Sequence, residues 1–164
     1  MKSSYFSIPF LYVALFSVAL LSCDNATDAD HDHDEPPAGL ELLSSGVVIA
    51  SQNGTVVSYP SGDAISIGVN ETIQFEVKFL HDDGDVIEYH ADEGYSLEFQ
   101  NKNDDVISLS HLEGLAADDH DHDEEHWTLQ LTGVASGTAT FSVQLMHAGH
   151  SDFLSRDFTV EVAP

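Results

Sequence analysis

Positive charge is what this chain has least of. Four Lys and Arg stand against 29 Asp and Glu in 164 residues, a formal net charge of -25. With so few cations nothing here can replace the counterions of a phosphate backbone, which excludes nucleic-acid binding. The same field opposes docking on an anionic lipid surface and draws cations in. Cysteine is nearly absent as well: the single Cys23 rules out internal disulfides and any cysteine-built zinc finger or iron–sulfur site. There is no Gly-rich phosphate loop, nucleophile elbow or His-Glu-x-x-His pair. The length suits one ordinary domain with little room for a substrate pocket, so a non-enzyme is expected. Hydrophobic residues nevertheless make up 42% of the chain, with nine Phe, which is too rich for a wholly unfolded acidic polymer. A core is expected.

The N-terminal segment reads as an address. Lys2 precedes a run from 5 to 21 that is apolar apart from Ser7, Pro9 and Ser17. It is too short and too lightly flanked for a stop-transfer helix and has the shape of a secretory signal. It closes in Leu20-Leu21-Ser22-Cys23, which resembles the bacterial lipobox. That resemblance implies cleavage before Cys23 and acylation of its thiol, making 1–22 a lipoprotein signal peptide. An ordinary secretory signal followed by a chance cysteine is the other reading. Residues 23–38 contain no aliphatic side chain larger than alanine before Pro36 and carry Asp30-His31-Asp32-His33-Asp34, so a solvated tether is expected. Acidic residues just after the cysteine look like the export signal of surface lipoproteins in the Bacteroidota. This likeness implies an outer-membrane lipid anchor facing the cell surface. Asp24 alone also looks like the inner-membrane retention signal of other Gram-negative bacteria.

From Gly39 to Pro164 the pattern is that of strands. Apolar runs at 40–43, 47–51, 55–59, 64–67, 72–80, 95–100, 106–111, 127–132, 138–146 and 154–162 are separated by Gly, Asn, Asp and Ser. Ile73, Phe75, Val77 and Phe79 alternate with polar residues, as do Phe141, Val143 and Leu145, and then Phe158, Val160 and Val162. Such alternation puts one face in a core and the other in water. Asn53-Gly54 signals a two-residue hairpin turn. No stretch of similar length has a helical period. An all-β, antiparallel sandwich is expected over 39–164.

Two segments resemble bacterial Ig-like domains. Gly68-Val69-Asn70-Glu71-Thr72-Ile73 looks like the lead into their second strand. Leu131-Thr132-Gly133-Val134-Ala135-Ser136-Gly137-Thr138-Ala139-Thr140-Phe141 looks like their penultimate turn and strand. The likeness covers about residues 66–164 and implies an Ig-like sandwich with a spacer or adhesive role. It departs at 81–94 and 114–126, where acidic, histidine-bearing stretches lengthen the loops.

On an Ig-like topology the connections after 72–80, 106–111 and 138–146 share one end of the sandwich, like the antigen-binding loops of variable domains. They hold His81 and His90, then His111, His120, His122 and His126, then His147 and His150. All histidines beyond the tether thus gather at one pole, and the opposite connections at 101–105 and 133–137 have none. Neutral imidazole ligates Zn²⁺, Cu²⁺ and Ni²⁺, with carboxylate as a further ligand or an orienting partner. In His147-Ala148-Gly149-His150-Ser151-Asp152 two imidazoles three residues apart share a short hairpin loop with an aspartate. His81 is the expected third ligand, with His111 the next choice. The plainer alternative makes His147 and His150 polar loop residues and His81 a backbone partner at a strand end.

The His/Asp runs around His31, His33, His120, His122 and His126 have no fixed geometry and read as weak metal-gathering tracts. Asp82-Asp83-Gly84-Asp85 hints at calcium but lacks the late glutamate of an EF-hand. The functional expectation is a surface lipoprotein that binds a divalent transition metal, zinc first, for capture, buffering or handover to an outer-membrane uptake receptor. Its alternatives are a structural or adhesive Ig-like module with solvated acidic loops, and a calcium-binding Ig-like domain.

Overall fold

The computed structural model describes residues 36–112 and 127–164. Its early strands are β1 (Gly39–Ser44), β2 (Val47–Asn53), β3 (Val56–Ser58), β4 (Ile65–Gly68), β5 (Thr72–Leu80) and β6 (Val86–Ile87). A 3-10 turn at Ala91–Glu93 follows. The later strands are β7 (Tyr95–Asn101), β8 (Ile107–His111), β9 (Thr128–Gly133), β10 (Gly137–His147), β11 (His150–Leu154) and β12 (Phe158–Ala163).

Two sheets result. The first runs β3-β2-β1-β5-β9-β8, with β6 added to β5. In the second, β10 is central. It carries β7 along one edge, while β12 and then β11 share the other, and β4 lies outside β12. All pairings are antiparallel except β4 with β12. This is the immunoglobulin arrangement, enlarged at one side by the β2–β3 meander.

The alternation read from the sequence is what builds the core. Phe75, Val77 and Phe79 of β5 and Leu129 and Leu131 of β9 face Phe141, Val143 and Leu145 of β10 and Phe158 and Val160 of β12, all buried. Burying each such side chain contributes about 1.5–3 kcal/mol. Phe141 stands between Phe75 and Phe158, at centroid distances of 5.9 and 5.6 Å, and so ties the sheets together.

The strand expected over 154–162 is two strands. At 155–157 side chains take over part of the ladder: the Ser155 N–H still donates to Val143 O, but the Val143 N–H donates to the Ser155 hydroxyl and the Arg156 N–H to Gln52 Oε1 at 2.6 Å. Gln52 of β2 thus covers the break. The stretch 81–94, expected as a lengthened loop, holds β6 and buries Ile87 and Tyr89 with Glu88 exposed between them. The hairpin turn expected at Asn53-Gly54 lies one residue later. Asn53 pairs with Val56, leaving Gly54 and Thr55 as the turn, and Gly54 supplies the positive φ of 56°. Pro37 is buried and the Ala38 N–H donates to Leu80 O, so the folded unit takes in these two residues ahead of Gly39.

The two segments that carry the Ig-like resemblance meet at the pole without histidines. Asn70 N–H donates to Gly133 O at 2.8 Å, and Gly133 N–H to Glu71 O at 3.0 Å. A Cβ on Gly133 would collide with the carbonyl of Gly68, so the backbones approach as closely as glycine allows.

Candidate metal centre at the histidine pole

Strands β5, β8 and β10 end, and β7, β9 and β11 begin, at the pole opposite that crossing. His81, His90, His111, His147 and His150 all stand there.

The β10–β11 hairpin is tighter than the loop expected from sequence. Its turn is Ala148-Gly149 alone, with φ of 48° and 84°. This double positive φ is what a two-residue turn needs to match strand twist, and Ala148 adopts it at some cost. The Ala148 N–H donates to Gly94 O at 3.1 Å, which pins the turn to the segment before β7. His147 and His150 are therefore strand residues and directly opposed partners. Opposed partners share a sheet face with Cβ atoms about 4.5–5.5 Å apart.

One step further along, the register shifts. Leu145 pairs with Phe153 and Met146 with Ser151, so Asp152 is the extra residue of a β-bulge. Bulges re-aim side chains. Here the Asp152 carboxylate comes to 3.4 Å from His147 Nδ1. The other side of the imidazole lies against Tyr95, its partner across β7, at 4.1 Å between centroids and 17° from parallel. A carboxylate, an aromatic plane and a strand backbone together hold His147, with about two fifths of its side chain exposed.

Behind it lies an aromatic cluster that sequence reading missed. Tyr95 packs on Tyr89 at 4.6 Å, and Tyr89 lies nearly parallel to Trp127 at 6.3 Å. Phe79 meets Tyr89, Trp127 and Phe153 edge-on at 5.7–5.8 Å. The period-two pattern Ile87-Glu88-Tyr89 was the signal available for finding it. Burial pushes the Tyr89 phenol well above its ordinary range, and the neighbouring Tyr95 and the Asp152 charge push it the same way.

The structure joins some of the expected ligands and leaves others apart. His147, His150 and Asp152 are neighbours, though their donor atoms do not converge on one point. His81 closes its own turn: its N–H donates to Asp85 O at 2.9 Å and its carbonyl accepts from Gly84 N–H. His111 lies on the ring of Phe99 at 5.1 Å. Among the described residues no group of three or more His, Cys, Asp or Glu side chains is arranged to hold one metal ion. Cys23, His31, His33, His120, His122 and His126 lie outside the described residues.

No family model matches the sequence, and no curated protein does. Among solved structures it is similar to domains 5–6 of the S-layer protein SbsC, at 13% identity and a TM-score of 0.39, over 62% of this chain and 40% of that one. Domains 4 and 5 of SbsC match at 11% identity and a TM-score of 0.40, over 76% and 70%. The cysteine protease inhibitor EhICP2 of Entamoeba histolytica matches at 17% and 0.38, over 61% and 83%.

Proposed function

We propose that this chain is a lipid-anchored bacterial surface protein whose sandwich binds a divalent transition metal, zinc first, at His147 and His150. One observation carries the reading: His147 is held by Tyr95 and Asp152 directly across from His150. Two imidazoles on paired strands need little ordering to reach one ion. With Asp152 at Nδ1, His147 presents Nε2, the carboxylate–imidazole arrangement that fixes a ligating ring and raises its basicity. Solvent or a further carboxylate completes the tetrahedral coordination usual for zinc. His81 and His111, at the same pole, hold ions only weakly. The His/Asp tracts around His31, His33, His120, His122 and His126 raise the local ion concentration before capture and handover to an uptake receptor.

Calorimetric titration of the full chain with Zn²⁺ tests this. A His147→Ala/His150→Ala double variant loses the tightest binding event and keeps its cooperative unfolding, because both side chains sit at the rim. Deletion of 118–125 lowers the number of weakly bound ions and keeps the tight one. The converse result, with the tight event lost on deletion and kept in the double variant, overturns the assignment.

A further inference from the structure

A recess beside the histidine hairpin's aromatic cluster has a different chemistry. Pairing between β5 and β9 ends at Glu76–Thr128, and pairing between β5 and β6 covers only Phe79–Leu80. In the gap between them the Val77 N–H donates to Trp127 O at 2.9 Å, and a pocket of about 270 Å³ opens.

The half-buried Trp127 and the largely buried Phe79 and Tyr89 contribute its aromatic side, and Glu76, Lys78, Glu88 and His90 its polar rim. The Lys78 ammonium is 3.4 Å from Glu76, so those two charges largely cancel. Glu88 is exposed, and among the described residues no cation pairs with it. The recess therefore joins an aromatic side to a polar mouth, where Glu88 is a carboxylate with no paired cation among the described residues.

We propose that this pocket binds a small organic ammonium ion. An ammonium on a short aliphatic body suits both features: the aromatic rings attract a cation and accept its carbons, and Glu88 supplies the counter-charge. Anionic ligands are repelled by Glu88 and by the net charge of -25. A purely apolar ligand would gain nothing from the rim and would strip water from it.

The test is titration of the full chain, in the presence of a metal chelator, with tetramethylammonium, choline and n-butylammonium. The neutral choline isostere 3,3-dimethylbutan-1-ol is the control. Trp127 is the only tryptophan, so its emission reports the pocket, and calorimetry reports binding independently. At least one ammonium binds saturably, about tenfold or more tighter than the neutral isostere, as expected for cation–π and charge contributions together. Glu88→Gln, an exposed change that leaves folding intact, weakens the ammonium about two- to fivefold and leaves the alcohol unaffected. Choline and n-butylammonium distinguish a quaternary from a primary head group. The proposal is overturned if the neutral isostere binds as tightly, if Glu88→Gln changes nothing, or if neither signal saturates with any ammonium.

Discussion

The Asp152 carboxylate stands 3.4 Å from His147 Nδ1, and Asp152 is the unpaired residue of a bulge. In an unbroken register residue 152 would lie directly opposite Leu145, on the face it shares with His150, and the bulge takes it out of that pairing. Removing the carboxylate therefore tests the geometry as well as the charge. Asp152→Ala should weaken zinc binding about 10–100-fold, the usual effect of losing a partner that orients a ligating imidazole. Calorimetry on the full chain measures it. An unchanged affinity would make Asp152 irrelevant to the site.

Acid should weaken the same site. Imidazole ligates only when neutral, and protons compete with the metal as pH falls through the range where histidine titrates. With two histidine ligands, affinity should drop at least about tenfold between roughly pH 7.5 and 5.5. A constant affinity over that range would indicate oxygen ligands alone, as in a calcium site.

At the other pole, Gly133 is expected to be irreplaceable. Its missing Cβ would meet the Gly68 carbonyl and Val162 Cγ1, and neither backbone can withdraw without breaking the Asn70 and Glu71 hydrogen bonds. Gly133→Ala should cost about 1–3 kcal/mol, the range for forced overpacking. Denaturant midpoints at constant m-value would show it.

Much of this was legible in the sequence, and the failures have physical causes. Strict alternation located β5, β10 and β12 because a half-buried strand must alternate. Histidine placement located the pole because antiparallel connections reverse the chain. The β11–β12 break was not legible, since it depends on Gln52 and Ser155 satisfying backbone groups distant in sequence. Nor was the Asp152 bulge, which is a property of register between two strands and leaves no mark in either. Tyr89 was passed over because its acidic surroundings resemble a loop, although Ile87 and Tyr89 share a buried face.

Tyr89 also gives the domain an alkaline limit. Its phenol holds its proton more tightly folded than unfolded, so the unfolded chain ionises first once pH passes the ordinary value of 10.0. The contribution is fully present below that value and is lost as pH rises above it. Wild-type protein should lose stability between about pH 9.5 and 11.5 more steeply than Tyr89→Phe, as read from denaturant midpoints across that range. Identical slopes would mean that Tyr89 is as free to ionise as in the unfolded chain.

The covering of the β11–β12 break by β2 bears on when this domain can fold. Gln52 reaches Arg156 and Tyr59 reaches Thr159 across 104 and 100 residues of chain, and β4 pairs, among the described residues, with β12 alone. A chain emerging N-terminus first can close the β1–β2 and β2–β3 hairpins as it appears. It cannot complete the second sheet until Phe158–Ala163 is out, because β4 pairs with that strand and Tyr59 bonds to it. The loop-closure entropy of those distant contacts must be met before they return any stability, which places folding in the slow, millisecond-to-second class of β-sandwiches. Completion therefore waits for the last strand, however early the hairpins close.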